Sequence, residues 1–365
     1  MLKIKDITTY LESKAPRSYQ ESYDNAGLIV GNPEEEVKGV LVTLDSTEEI
    51  VEEAVRTGCN LIVAHHPIVF SGLKKLTGSN YVERTVIKAI KHDIAIYAIH
   101  TNLDNVEIGV NRKIAEQIGL ENCRILAPKS GRQCKLVTFV PEENKQDVLS
   151  ALSEAGAGVI GNYSKCSYQT KGTGTFEPNE QTNPHIGEQG SLEYVEEVRL
   201  EMVFPDYLQG ALIAALKQAH PYEEVAYDIY PLLNNNGAIG SGMIGTLPEA
   251  QSPQQFLLYL KERMNLHCIR HTPITGHQVQ RVAVCGGAGS FLLKAAKAQK
   301  ADVFITGDFK YHEFFDAEGT ILIADIGHYE SEVFTKELLA DWLKEQFKGL
   351  RVCLSDVNTN PVHYL

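Results

Sequence analysis

The sequence predicts an α/β host domain built of two similar halves, with a small α+β domain inserted between them. A strand–helix–strand order occurs once near each end of the chain, and the composition of the middle differs from that of both ends. A chain of 365 residues is long enough for about two to three domains. We expect the halves to span residues 1–129 and 233–365, and the insertion to span residues 130–232.

The two halves share the order of their elements and the polar ends of their strands. "VKGVLVTLD", "STEEIVEEAVRTG" and "CNLIVAHHP" predict a strand, a capped amphipathic helix and a second strand, and "QRVAVCGGAGS", "FLLKAAKAQK" and "ADVFITGDF" repeat that order. The next apolar strand of each half ends in a histidine with a carboxylate four residues later. These pairs are His100 with Asp104 and His328 with Glu332. The matching ends favour an internal repeat.

The middle of the chain contains two helix–strand modules of its own. "CKLVTFVPEENKQDVLSALSEAGAG" predicts a strand and a helix, and the segment from "EYVEEVRLEMVF" to "VAYDIYPL" predicts strand, helix and strand. A long surface elaboration without its own core is the alternative. Two regular modules favour an inserted domain.

Charge and cysteine content restrict the class of protein. A formal charge of -13 and a pI near 5.4 argue against a general surface for nucleic acid or anionic membranes. No apolar run approaches the ~18 residues that a membrane helix needs, and the first residues are charged, so we expect an untargeted cytoplasmic protein. The seven cysteines form no CxxC pair, which is typical of reduced thiols.

Five residues at the carboxyl ends of predicted strands form a candidate metal site. They are His65, His66, Asp104, His328 and Glu332. Ligand sites in parallel α/β sheets lie beyond these strand ends. Adjacent residues direct their side chains differently, so we expect the two neighbouring histidines to reach different ions. The mixed nitrogen and oxygen set suits Zn, Fe, Mn, Co or Ni, and we predict two such divalent ions per chain, with Zn as the first candidate.

Single histidines at strand ends are usually structural, but five such groups at equivalent ends favour a metal. Five ligands leave positions open for water, as in catalytic sites, and such ions generate a nucleophile from water at neutral pH. His100 is a ligand, a partner of a ligand or a proton shuttle. His312, in "TGDFKYHEFF", is a candidate general acid or base, with a solvated turn as the alternative.

Two further motifs have ordinary structural explanations. Asp24, in "YDNAGLIVG", favours an Asx turn before the first strand. The glycines of "CGGAGS" join a strand to a helix and present amides that suit an anion, but they lack a nucleotide-binding signature.

The motifs "YDNAGLIVG", "VAHHPIVFSGLKKL", "IHTNLD", "ITGDFKYHE" and "DIGHYESE", in this order, resemble the NGG-interacting-factor-three-like family, also labelled GTP cyclohydrolase I type 2 homologues. The resemblance covers nearly the whole chain. It implies a di-metal site on the five residues named above, an inserted ferredoxin-like domain similar to PII and CutA proteins, and a toroidal homohexamer. The cyclohydrolase label implies hydrolysis of the imidazole ring of GTP with release of formate.

We therefore carry two hypotheses for the function. The first is a cytoplasmic, metal-dependent hydrolase acting on GTP or a related nucleotide or small heterocycle, with His312 or His100 assisting proton transfer. The second is a non-catalytic, metal-binding regulatory or assembly protein. Exchangeable water at the metal would support the first, and a saturated metal shell the second. A nucleic-acid role ranks third, because it would need Lys and Arg from several subunits.

Overall fold

The computed structural model describes residues 1–274 and 276–365, and it divides the chain into two compact units. The first unit consists of Met1–Pro128 and Gly237–Leu365, and the second of Lys129–Asn236. The boundaries expected from the sequence, 130 and 232, lie close to these.

The strands lie in both units. In chain order they are β1 (Gly27–Val30), β2 (Val40–Thr43), β3 (Leu61–Ala64), β4 (Ala95–Ala98), β5 (Glu121–Ser130), β6 (Gln133–Pro141), β7 (Tyr168–Phe176), β8 (Glu193–Pro205), β9 (Tyr227–Leu232), β10 (Asn235–Gln251), β11 (Arg270–His271), β12 (Val279–Ala288), β13 (Val303–Gly307), β14 (Leu322–Asp325) and β15 (Val352–Leu354).

The helices separate most of these strands. They are α1 (Ile4–Lys14), α2 (Glu48–Thr57), α3 (Tyr81–Lys91), α4 (Thr101–Asp104), α5 (Val110–Gln117), α6 (Lys145–Glu154), α7 (Gln209–Ala219), α8 (Pro253–Arg263), α9 (Leu293–Ala298), α10 (His328–Glu332) and α11 (Thr335–Gln346). Short 3-10 segments cover Arg17–Tyr19, Asp206–Leu208, Ser290–Leu292 and Tyr311–Ala317.

The first unit contains two sheets with a common strand order. One has the order β1-β4-β3-β2-β15, in which β1 is antiparallel to β4 and the other pairs are parallel. The other has the order β11-β14-β13-β12-β10-β5, in which β12, β13 and β14 are parallel and β11 is antiparallel to β14. The first half thus places β4, β3 and β2, and the second half β14, β13 and β12, in the same order beside one antiparallel strand, and β15 of the second half adds a fourth parallel strand to the first sheet.

The parallel strands are apolar runs because both of their faces are covered. All residues of β2, β3, β4, β13 and β14 are buried. One hydrophobic cluster contains side chains of both sheets, among them Val63, Tyr97, Val284 and Ile305. The two sheets therefore share a core, which brings the carboxyl ends of β3 and β14 into one region.

The second unit has the order β6-α6-β7-β8-α7-β9, and its antiparallel sheet has the order β7-β8-β6-β9. Both helices pack on this sheet, where Leu136, Val148, Phe204 and Leu212 belong to one buried cluster. The inserted segment therefore has its own core, unlike a surface elaboration.

Membrane-spanning helices are absent from the described residues, since none of their helices combines the necessary length and apolar character. All seven cysteines are free thiols, in keeping with the sequence-based expectation.

Candidate metal centre

The five predicted ligands meet at one place in the first unit. His65 and His66 directly follow β3, Asp104 ends α4, and His328 and Glu332 begin and end α10. Their nitrogen and oxygen atoms form groups in which every pair lies within 4.8 Å. These groups are His66–His328–Glu332, His65–Asp104–Glu332 and His65–His66–His100.

Glu332 belongs to two of these groups. Its Oε2 lies 3.0 Å from His66 Nε2 and 3.2 Å from His328 Nε2. Its Oε1 lies 3.8 Å from His65 Nε2, which is itself 3.7 Å from Asp104 Oδ1. Ligand atoms held about 2 Å from one tetrahedral ion lie roughly 3.3 Å apart, so these separations fit metal coordination. The two groups that contain Glu332 thus separate the adjacent histidines, although both histidines also belong to the group with His100.

Hydrogen bonds at Nδ1 direct each imidazole toward the centre. His65 Nδ1 lies 2.8 Å from the Ile99 carbonyl oxygen, which only accepts, so this nitrogen carries the proton. His66 Nδ1 lies 2.8 Å from Asp45 Oδ1, and His328 Nδ1 lies 2.7 Å from Asp308 Oδ2. Such partners fix the tautomer of metal-binding histidines and leave Nε2 as the ligand atom.

Three buried polar atoms of this cluster lack hydrogen bonds. Among the described residues with buried unpaired side-chain atoms are His65 (Nε2), Asp104 (Oδ1) and Glu332 (Oε2). Buried polar atoms are nearly always paired, because an unpaired one costs about 1–3 kcal/mol. His65 Nε2 and Asp104 Oδ1 lie 3.7 Å apart and face each other, whereas Glu332 Oε2 faces His66 and His328, an arrangement that fits divalent cations.

Without a metal ion, the ionisable side chains of the centre have strongly shifted pKa values. Burial raises the pKa of Asp104 well above its usual range, and the neighbouring Glu332 charge adds to the effect. Burial opposes protonation of His66 and His328, but adjacent carboxylates raise the pKa of these groups to about 10 and about 9. Since metal ligands must be deprotonated, a bound cation would release these protons.

The glycine-rich turn of the "CGGAGS" motif, residues 286–290, leaves space for the side chains of the candidate metal ligands. A Cβ atom at Gly287 would lie 2.5 Å from Glu332 Oε1, and the residue has a φ of +61°. The amides of this turn are already engaged: Gly286 donates to Asn111 Oδ1, Gly287 to Ser331 Oγ and Gly289 to Thr306 Oγ1. The motif therefore serves close packing around the ligands, and these amides are not free for an anion.

His100 points into the same site and has a carboxylate partner. Its Nδ1 lies 2.8 Å from Asp24 Oδ1, and Asp24 Oδ2 accepts hydrogen bonds from the amide and hydroxyl of Thr101. Burial would raise the pKa of Asp24, but the bonds from His100 and Thr101 outweigh it and lower the pKa to about 2. Asp24 Oδ1 also accepts a bond from the amide of the next residue, Asn25, whereas the Asx turn expected from the sequence needs the amide two residues on. Asp24 thus contacts His100, a residue of the candidate site, and the turn motif alone does not indicate this contact.

A cleft of about 1100 Å³ opens over the centre, and His66, His100, Asp104, His328 and Glu332 line it. The segment after β15 also lines the cleft, and there Thr359 Oγ1 donates to Asp45 Oδ2 over 2.6 Å. A separate cavity of about 630 Å³ lies in the second unit.

The structure does not bring His312 together with the other candidates. Its side chain is exposed on the 3-10 segment Tyr311–Ala317, beside the rings of Tyr311 and Phe315, and it does not line the cleft. Asp45 belongs to no motif singled out from the sequence, although it follows β2 as the ligands follow their strands.

Comparisons with known proteins agree with this architecture. Residues 2–361 match the family described as Duf34/NIF3 (NGG1p interacting factor 3). A Halalkalibacterium halodurans protein named GTP cyclohydrolase 1 type 2 homolog is 40% identical, with 98% of each chain covered. The crystal structure of a Bacillus cereus protein related to NIF3 has 39% identity and a TM-score of 0.87, covering 100% of this chain and 99% of that one. A Staphylococcus aureus structure has 32% identity and a TM-score of 0.79 at the same coverage. The chain therefore belongs to the Duf34/NIF3 family.

Proposed function

We propose that this protein is a hydrolase that uses two divalent transition-metal ions, of which Zn is the first candidate. One ion is held by His66, His328 and Glu332, and the other by His65, Asp104 and Glu332. The observation that carries the proposal is the position of Glu332, whose two oxygens face different ligand groups while three buried ligand atoms lack hydrogen bonds. When bound, such ions supply an activated water nucleophile and polarise the bond under attack.

The number of ligands supports catalysis over a structural role. Each group offers three protein ligands, whereas structural Zn sites are closed by four. The cleft gives the remaining positions access to small molecules. A regulatory or assembly protein that binds metal without turnover is the second candidate.

His100 is the residue that we propose to move protons. Its Nδ1 is held by Asp24, and its other nitrogen belongs to the group with His65 and His66. A carboxylate behind an imidazole fixes its tautomer and stabilises the protonated ring. His100 would accept a proton from the attacking water and return it to the leaving nitrogen.

The substrate that we propose is a nitrogen heterocycle. The relatives' name, GTP cyclohydrolase 1 type 2 homolog, points to ring-opening hydrolysis of a purine, in which a ring carbon leaves as formate. The volume of the cleft and the aromatic side chains along it suit a planar ring.

Metal content tests the two-ion assignment. We expect about two ions per chain in protein purified without added metal or an affinity tag, measured by elemental analysis. Glu332→Ala should lose both ions, whereas His65→Ala and His328→Ala should each lose one. His312→Ala is the matched control and should keep both. Two ions retained by Glu332→Ala would contradict the assignment.

Turnover separates the two candidate functions. His100→Ala should keep its metal and lose most of its activity, because a general acid–base group contributes typically 10²–10⁴-fold. Formate release from purine nucleosides and nucleotides is the readout. Metal-loaded wild type that turns over none of them would favour the regulatory alternative.

We also propose that the inserted unit is ferredoxin-like and that the protein is a homo-oligomer in the cytoplasm, with the toroidal hexamer as its form. The βαββαβ order and the strand order β7-β8-β6-β9 support the first part. Exposed Tyr163, Tyr168 and Tyr194 in this unit support the second. Light scattering during size-exclusion chromatography measures the mass, and a monomer would contradict the oligomer.

A further inference from the structure

The cleft over the candidate metal centre has a strongly acidic lining. Seven carboxylates line it, whereas Arg270 is the one Lys or Arg among the described lining residues. If two divalent cations are added and the imidazoles are counted as neutral, the lining still has two more negative charges than positive ones. A ligand with several negative charges would meet repulsion outside its contacts with the metal ions.

Arg270 is already engaged within the protein. Its guanidinium pairs with Asp325, donates to the Phe309 carbonyl oxygen over 3.0 Å and lies 5.5 Å from the centre of the Phe314 ring. Phosphate-binding sites offer bidentate arginines, lysines or free amides to the oxygens. Here the arginine has partners, and the amides of Gly286, Gly287 and Gly289 are bonded to side chains. Within the described residues the cleft therefore offers a triphosphate one arginine, whose Nη2 is already bonded to Asp325 and Phe309, in place of the several cations and free amides of a polyphosphate cradle.

Exposed aromatic side chains form the apolar part of the cleft. They are Tyr23, Phe70, Tyr81, Phe291 and Tyr364, each at least 46% exposed. Phe70 lies edge-on to His100 with ring centres 5.7 Å apart, which places one of these rings beside the residue proposed to move protons. Exposed aromatic rings leave apolar surface in water and do not contribute to the packing of the core. Their concentration around one cleft therefore indicates a ligand with flat, apolar faces.

We propose that the substrate of this site is a planar nitrogen heterocycle that carries no polyphosphate, such as a nucleoside or a free base. The proposal rests on the metal-dependent hydrolase proposed above and specifies its substrate class. Aromatic side chains hold the ring faces by stacking, and the acidic lining disfavours each added phosphate. The contrast with the relatives' name follows from the charges and bonds of this cleft.

The test compares guanosine, GMP and Mg²⁺-saturated GTP, because this series keeps the ring constant while the number of phosphate groups increases. Binding to the metal-loaded full-length protein is measured by calorimetry, with metal content verified after each titration. We expect guanosine to bind at least tenfold more tightly than GTP. Phe291→Ala should weaken guanosine binding between about fivefold and about 150-fold, the range that stacking on one aromatic gives. Phe315→Ala removes an equally exposed ring outside the cleft and should change nothing.

Three results would overturn the substrate class: tighter binding of GTP than of guanosine, no saturable binding of guanosine, or equal effects of Phe291→Ala and Phe315→Ala. Formate release separates this proposal from the hydrolase itself. Guanosine that binds as expected without releasing formate keeps the ligand class and overturns hydrolysis of this ring. Formate released from GTP but not from guanosine keeps hydrolysis and overturns the ligand class.

Discussion

His66 Nε2 and His328 Nε2 lie 3.3 Å apart, although 262 positions separate the two residues in the sequence. With both Nδ1 atoms bonded to carboxylates, the two Nε2 atoms face each other, and they repel as N–H groups when the rings are protonated and as lone pairs when the rings are neutral. A cation between them removes this conflict and joins the two halves of the first unit. Metal binding should therefore stabilise the fold as well as complete the site.

Metal removal should lower the free energy of unfolding. A ligand that binds only the folded state adds about 2.7 kcal/mol when its free concentration is 100 times Kd. We expect urea denaturation of protein treated with a chelator to show a loss of this order, restored by added Zn²⁺. Glu332→Ala should show no metal-dependent gain. Equal stability of the wild type with and without metal would contradict this coupling.

Gly287→Ala should weaken metal binding at least tenfold. Its Cβ would lie 2.5 Å from Glu332 Oε1, so the carboxylate must move away from its place among the imidazoles. Gly319→Ala is the matched control, because Gly319 has a similar φ of +65° but no neighbour within 4 Å of an added Cβ. Both variants carry the same backbone strain. Competition with a chromophoric chelator measures the affinity, and equal losses in both variants would assign the effect to strain alone.

Asp45→Asn should weaken the ion held by His66 by about 10- to 100-fold, the usual cost of removing the carboxylate behind a metal-binding histidine. Asp45 Oδ1 lies 2.8 Å from His66 Nδ1, and Thr359 holds the other oxygen. Thr359→Val should act in the same direction with a smaller effect. Asp341→Asn, on the exposed side of α11, is the control. Chelator competition resolves the two ions, and an unchanged affinity in Asp45→Asn would contradict the role of this pair.

The order of the elements and the convergence of the five ligands follow from local patterns. Buried apolar runs predict the strands, and the carboxyl ends of parallel strands predict where polar side chains meet. The bond between Thr359 and Asp45 spans 314 positions, so no local pattern reveals it. The position of His312 depends on the direction in which the chain leaves β13. The sequence does not specify which face of the 3-10 segment Tyr311–Ala317 is turned toward the cleft.

Asp24→Asn should destabilise the protein in a pH-dependent way. The pKa of Asp24 is lowered from 3.8 to about 2 in the folded protein, and its side chain is fully buried. A lowered carboxyl pKa stabilises the fold above the unfolded pKa, and that contribution disappears as pH falls through the folded pKa. The shift corresponds to about 2 kcal/mol at pH 7. Urea denaturation at pH 7, 4 and 3 should show a difference between wild type and variant that narrows mainly between pH 4 and pH 3. A constant difference would contradict the assignment.

In the second unit, two glycines of β7 should differ in their response to alanine. Gly174→Ala should lower the free energy of unfolding, whereas Gly172→Ala should leave it unchanged or raise it. A Cβ at Gly174 would lie 2.2 Å from Glu197 Oε2, whereas a Cβ at Gly172 has no neighbour within 4 Å. Glu197 accepts a hydrogen bond from the Tyr222 hydroxyl over 2.8 Å, so displacing its carboxylate removes that bond. We expect Gly174→Ala to cost about 1 kcal/mol, the typical value of one hydrogen bond.

Gly172→Ala should be neutral or stabilising by up to about 1 kcal/mol, because alanine restricts the unfolded chain without a clash in the strand. The free energy of unfolding from urea denaturation checks both variants. The Tyr222 phenol provides a second readout, since burial and the Glu197 charge raise its pKa above the usual range. Gly174→Ala should lower that pKa toward its ordinary value, whereas Gly172→Ala should leave it unchanged. The same pKa in both variants would show that Glu197 keeps its place beside Tyr222 despite the added methyl group.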